Sequence, residues 1–471
     1  MKFYTTTKDI TSLSADAVVV FAREGDKEPE FVKQFHVKED GFQGKLGEVF
    51  VIQTQGQLPY KKVFVTGLGK EKQLSAYDWH YVYACIARCA KARKVARLVI
   101  PTTDVYNAVV GLCLGAYSFL VHKNKKTQKE EQRIEKITFV GKGIDQKDIT
   151  DGVITAEAVC FARDLVNEPP SVTTPSFLAH HAEKFGAEVF GKKEMKKLGM
   201  NALLAVSQGS HEEPKFIKLE YRGGGTKTIT LVGKGITYDS GGLSLKPQSG
   251  LETMKCDMAG AATILGVFEA LHKGKPKVHV IGLIAACENM PGGGAVKPGD
   301  VVTAMNGKTI EIVNTDAEGR IILADSLSYA GKFIPSNVII DVATLTGACV
   351  VALGEDIAGL FTDNEKLAKQ VLDNATRVGE KLWRMPIACE YEAHLKSEIA
   401  DIRNVSKTKY GGAINGALFL KKFAPKGTPW AHLDIAGPAF AEKDMTISPY
   451  GGTGFGVQTL LSFIEGEEGK R

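Results

Sequence analysis

The sequence predicts an α/β protein with two sheet-centred domains, and three observations predict it. Strand-like and helix-like patterns alternate along the 471 residues, as expected where helices connect strands. The strand candidates beyond residue 170 are mostly unbroken apolar runs such as "VHVIGLIAAC" (278–287), which fits a largely buried sheet. Apolar residues make up 44% and charged residues 24%, an ordinary globular balance. We place a smaller N-terminal α/β domain at 1–150, a linker helix at 151–170 and a larger domain at 171–471.

The first domain offers four strands: "DAVVVF" (16–21), "KVFVTGL" (62–68), "ARLVIP" (96–101) and "KITFVG" (136–141). A helix is expected over "DWHYVYACIARCAKARKVA" (78–96). The polar, glycine-bearing stretch 141–152 reads as a linker, followed by a helix over 154–168 that "PP" at 169–170 stops. In the second domain "FIKLEYRGGGTKTITLVGKG" (216–235) reads as two strands joined at a glycine turn. Further buried strands are expected at 278–287, 337–345 and 430–437, with a helix at 260–274. Each strand runs into a loop rich in Gly, Asp or Asn, and open α/β sheets bind ligands beyond their carboxyl ends.

Composition excludes several classes. The longest apolar run, "VIGLIAAC" (280–287), is too short to span a bilayer. "MKFYTTTKDI" lacks the apolar segment of a signal peptide. Eight scattered cysteines show neither zinc-ribbon spacing nor a disulfide framework, which fits a reducing cytoplasm. Net charge is +5, but residues 1–150 carry 24 basic and 17 acidic groups, or +7. That excess reads as a solvated surface. An anion- or DNA-binding face is the alternative, without any recognition motif to carry it.

Chemistry concentrates in four segments: "GKGITYDSGGLSLKP" (233–247), "LETMKCDMAG" (251–260), "ENMPGGGAVKPGD" (288–300) and "NTDAEGR" (314–320). None has the ordered glycine-lysine pattern of a phosphate loop. Together they supply Asp239, Asp257, Asp316 and Glu318. Four carboxylates in one dry pocket require cations, and two divalent ions would balance them. Oxygen donors with at most one nitrogen suit Mg²⁺, Mn²⁺ or Zn²⁺, and no histidine falls within these segments. Lys234 is either a surface lysine at a strand end or a deprotonated ligand. Lys246 and Arg320 are either solvated or ion-paired, or they are cations able to stabilise a tetrahedral intermediate. In "NTDAEGR" the Thr315–Glu318 spacing also reads as a capping box opening a helix at 321–330, after a strand at 308–313.

These segments, with "DVATLTGA" (341–348) and "DIAGPA" (434–439), resemble in order and spacing the leucyl or cytosol aminopeptidases, a metallopeptidase family that includes bacterial aminopeptidase A. The resemblance covers roughly 160–455. It implies an α/β/α catalytic domain around a mixed, largely parallel sheet. It implies two metal ions, Mn²⁺ or Zn²⁺, held by Lys234, Asp239, Asp257, Asp316 and Glu318, with Asp239 and Glu318 bridging and the Asp316 carbonyl joining. A metal-activated hydroxide would attack the first peptide carbonyl, with Lys246 and Arg320 as catalytic cations and a bicarbonate at Arg320 assisting proton transfer. Asp257 would hold the substrate's free amine. Met254, Thr344, Gly347 and Ala436 would shape the side-chain pocket, while Leu345 and Gly347 would bind the peptide backbone. The family's character implies short peptides, leucine-like broad preference and a homohexamer.

Overall fold

The computed structural model describes residues 1–38, 40–70 and 73–468. The chain forms two units, 1–160 with 443–450, and 161–442 with the chain from Gly451 onward. Nothing in the sequence announces the return of Lys443–Tyr450 to the first unit.

The first unit is built on β1 (Lys2–Thr6), β2 (Ala15–Ala22), β3 (Val49–Gln53), β4 (Tyr60–Gly67), β5 (Arg97–Pro101) and β6 (Lys136–Val140). They order as β1-β6-β5-β2-β4-β3, parallel throughout except for the β3–β4 pair. Helix Ala76–Ala92 starts at a capping box between Ser75 and Asp78 and buries Val82, Tyr83, Ile86 and Ala90. The basic run 122–129 is exposed throughout. Elsewhere the positive charge is partly paired, Lys91 with Glu131 and Arg97 with Asp16. The stretch 141–152 is not a linker in full, because a helix already begins at Gln146 and runs to Asn167. Its first turns are polar since Lys147 and Asp151 pair on the outside, while Ile149 packs inward.

The second unit contains β7 (Glu188–Phe190), β8 (Lys215–Arg222), β9 (Thr228–Asp239), β10 (His279–Asn289), β11 (Val301–Thr303), β12 (Thr309–Glu311), β13 (Val338–Ala343), β14 (Ala358–Phe361), β15 (Leu382–Arg384), β16 (Ile402–Arg403) and β17 (Trp430–Asp434). Eight of them form one sheet ordered β15-β14-β17-β13-β9-β10-β8-β7, and β11, β12 and β16 form a small second sheet. The central β17, β13, β9 and β10 are mutually parallel. The two strands either side of the 223–225 glycines are not neighbours: β8 pairs antiparallel with β10, and β10 also pairs parallel with β9. Eleven of the twelve β9 residues are buried, so β9 takes a central place between parallel partners, whereas the partly exposed β8 lies near the edge.

One face of this sheet packs Val232, Ile236, Ile281, Leu283 and Ile339 against the apolar side of helix Gly319–Phe333. On the other face, side-chain atoms of Ile264 from helix Ala259–Gly274 lie against Gly233 and Gly282. The result is the α/β/α layering implied by the resemblance. Helix Gly319–Phe333 is anchored by Asp325, which is fully buried. Its carboxylate accepts the Leu203 N–H at 2.9 Å and the Met305 N–H at 2.8 Å. Asp325→Ala leaves both donors without an acceptor, each costing ~1–3 kcal/mol. A destabilisation of about 2–5 kcal/mol is therefore expected in urea unfolding. No helix of the described residues is long and apolar enough to cross a membrane.

Candidate active site

The parallel strands end together. In register, Asn289 of β10 lies beside Asp239 of β9, and Ala343 of β13 lies beside Asp434 of β17. The loops leaving these ends carry the candidate residues. Lys234, inside β9, is only 2% exposed. Its ammonium lies 2.8 Å from an Asp257 oxygen, 2.9 Å from a Glu318 oxygen and 2.8 Å from the Thr344 carbonyl. Lys246 reaches Asp239 at 2.8 Å and Asp316 at 2.6 Å. One carboxylate oxygen from each of Asp239, Asp316 and Glu318 falls within 4.8 Å of the others. Both lysines are therefore drawn into the carboxylate cluster, and neither is a surface group.

The electrostatics are unbalanced. Four carboxylates face two ammonium groups. Burial, together with the Glu318 charge, pushes the Asp239 carboxyl up to about 6. Burial also holds Asp257 well above the carboxylate range against the pull of Lys234. Burial opposes the charge on Lys234, but Asp257 and Glu318 outweigh it and hold its pKa above the ordinary lysine range. Buried Asp257 Oδ2 and Glu318 Oε2 accept no hydrogen bond. Buried carboxylate oxygens without donors are costly, and a divalent cation is the group that satisfies them. The donor set fits such an ion.

The signature loop does not fold as a capping box. Helix Gly319–Phe333 begins one residue after Glu318, whose side chain makes no capping bond. Thr315 is occupied elsewhere: its hydroxyl donates to the Gly241 carbonyl at 2.6 Å and accepts the Ser244 N–H at 2.8 Å. This ties "NTDAEGR" to the loop after β9, and Glu318 is left free to face Lys234. Gly319, a poor helix former in the first turn, is there for a steric reason. A Cβ at Gly319 would lie 2.5 Å from Lys234 Cε and 2.6 Å from its Nζ.

Arg320 is buried and, among the described residues, makes no ion pair. Its Nη1 donates to the Asn404 carbonyl at 2.9 Å, while its Nε has no partner. Burial lowers its pKa, although Glu318 and Asp434 oppose this. Thr344 donates its hydroxyl to Asp257 at 2.6 Å; Leu345 and Ala436 lie on the loops leaving β13 and β17, and Gly347 is the first residue of helix Gly347–Leu353. Met254 opens the short helix Met254–Met258 that carries Asp257.

Two residues escaped the sequence reading. Asn289 donates to Asp239 at 2.8 Å and to the Thr315 carbonyl at 3.0 Å. Asn404 accepts the Val313 N–H at 2.8 Å and donates to the Asn314 carbonyl at 2.6 Å. Asn289, at a strand end in a glycine-rich segment, carried a faint signal. Asn404 carried none, because it lies far along the chain from the loop it braces.

The catalytic-domain model of the cytosol aminopeptidase family matches residues 160–461, and the family's N-terminal domain model matches 21–126. The chain belongs to the cytosol aminopeptidase family. A probable cytosol aminopeptidase of Geobacter sulfurreducens is 43% identical over 90% of this chain and 88% of its own. One from Aquifex aeolicus is 42% identical over 97% and 96%. Among solved structures, a tomato leucine aminopeptidase mutant superposes with a TM-score of 0.88 at 32% identity, covering 99% of this chain and 96% of its own. The bottromycin maturation enzyme BotP in complex with Mn gives 0.87 at 34%, covering 96% and 99%. A cytosol aminopeptidase is a metal-dependent exopeptidase, so this enzyme hydrolyses peptides from the N-terminus.

Proposed function

We propose that this aminopeptidase releases leucine-like N-terminal residues, with broad preference, from short peptides, using two divalent ions held by Lys234, Asp239, Asp257, Asp316 and Glu318. The single observation carrying this reading is the excess of four carboxylates over two lysines, with Asp257 Oδ2 and Glu318 Oε2 buried and unpartnered. When bound, Mn²⁺ or Zn²⁺ supplies Lewis-acid polarisation of a carbonyl and a water of lowered pKa.

The chain's own groups then divide the work. Asp239 and Glu318 would be the donors shared by the two ions, and Lys234 would serve as a nitrogen donor once its proton had passed to solvent. Asp257 receives the substrate's α-amine, which restricts attack to the first peptide bond. Lys246 stabilises negative charge growing on the carbonyl oxygen. Arg320, with its free Nε and no carboxylate partner, suits a small anion such as bicarbonate, which would move the proton that no nearby side chain takes. Thr344, Gly347, Ala436 and Met254 shape the side-chain pocket, and the backbone of Leu345 and Gly347 aligns the peptide.

Self-association into a homohexamer belongs to the same reading, on the family resemblance alone. A cytoplasmic location is supported by eight free cysteines. DNA binding is left out of it, because positive charge on the first unit comes without a recognition element.

The test is hydrolysis of leucine p-nitroanilide. Activity is expected with Mn²⁺, is lost on chelation and returns when the metal is restored. Protein shown to hold manganese that releases no product sinks the proposal.

A further inference from the structure

We propose that Asp434 is a positioning residue that staples together the two strand-end loops forming the substrate pocket, and thereby sets the enzyme's preference for a large N-terminal side chain. This rests on the pocket assignment above. Asp434 ends β17, is fully buried, and pairs with no cation among the described residues. Its carboxylate is satisfied by hydrogen bonds alone. Oδ1 accepts the Leu345 N–H at 3.1 Å, the Thr346 N–H at 3.4 Å and the Ala436 N–H at 3.2 Å. Oδ2 accepts the Thr346 hydroxyl at 2.7 Å.

These donors come from two chain segments 90 residues apart in sequence. Leu345 and Thr346 follow β13, whereas Ala436 follows β17. The staple reaches further on the β13 side. Thr346 Oγ1 also accepts the Cys349 N–H at 3.0 Å, which starts helix Gly347–Leu353. One residue before Leu345, the Thr344 carbonyl holds Lys234 and its hydroxyl holds Asp257. The loop is thus pinned on one side to the carboxylate cluster and on the other to Asp434. A buried carboxylate is costly unless hydrogen bonds satisfy it, and these four do so. Ionised oxygens also make stronger acceptors than neutral ones, which suits one oxygen taking three N–H groups.

The experiment uses the full-length, manganese-loaded enzyme and compares D434A, D434N and T346V. D434A should lose amide-exchange protection at Leu345, Thr346 and Ala436. Its kcat/KM ratio for leucine over alanine p-nitroanilide should fall about tenfold or more, since pocket discrimination of small apolar differences is worth ~10–200-fold. D434N should keep that ratio within about threefold, because its amide oxygen retains the three N–H bonds and its NH₂ can face Thr346 Oγ1. T346V, which removes the Oδ2 contact together with the Cys349 N–H cap and leaves the three N–H bonds to Oδ1, should fall between them. Should D434A not fold, D434N and T346V decide the matter: no loss in T346V overturns the staple. An unchanged leucine-to-alanine ratio in folded D434A, or unchanged protection at the three amides, overturns it as well. Wild-type enzyme that cleaves neither substrate sinks the assigned function instead, and exchange at the three amides still decides whether the staple exists.

Discussion

Glu318→Ala removes catalysis and leaves the fold standing. The expected loss in kcat/KM on leucine p-nitroanilide is about a thousandfold or more, the scale on which groups essential to transition-state charge stabilisation act. Glu318 is buried against Lys234 and within reach of Asp239 and Asp316. Its removal takes one carboxylate from the cluster and frees Lys234 from one of its two carboxylates. Stability should shift by less than about 2 kcal/mol in metal-free protein, because losing one of four crowded carboxylates also relieves repulsion. The melting temperature of the wild type should rise on adding Mn²⁺, by the linkage between ligand binding and folding. The variant should gain much less. Full activity in Glu318→Ala would remove the carboxylate cluster from the mechanism.

Gly319→Ala separates stability from function in a different way. By helix propensity alone this change should help, since alanine is favoured over glycine by ~1 kcal/mol within a helix. The added methyl, however, would overlap the end of the Lys234 side chain at 2.5–2.6 Å. A lysine tip can swing aside more readily than backbone, but in doing so it leaves the buried Asp257 and Glu318 and the Thr344 carbonyl. The expected result is a melting temperature lowered by a few degrees, because the displaced lysine leaves buried carboxylates less compensated, together with at least a hundredfold loss of kcat/KM, since an ångström of misplacement at a reacting site costs about that much. Thermal denaturation and steady-state kinetics on one preparation check both halves. Wild-type activity in this variant would show that the position of Lys234 does not matter.

Gly260 repeats the lesson on the other face of β9. A Cβ there would meet the Val342 carbonyl at 2.3 Å and the Lys234 N at 3.0 Å. Unlike a lysine tip, backbone cannot move aside cheaply, so this glycine guards the packing of helix Ala259–Gly274 as much as the site.

The sequence by itself determined the α/β class, the strands at 16–21, 62–68, 96–101 and 136–141, and the buried strands that became β9, β10, β13 and β17. Apolar runs and helical periodicity are local signals, so they survive without tertiary context. The acidic residues were equally legible, because four carboxylates concentrated in strand-end segments demand compensation wherever they meet. Tertiary structure alone decided the rest. The insertion of β10 between β8 and β9 depends on which strand can be buried on both faces, not on which strands are adjacent in sequence. The capping box gave way because Thr315 found partners in the loop after β9. Lys234 is a buried cation only because Asp257 and Glu318, 23 and 84 residues further along, converge on it. Asn404 and Asp434 brace loops about 90 residues away. Their chemistry is ordinary for Asn and Asp, and it becomes specific only when strand register brings distant N–H groups within reach of one oxygen.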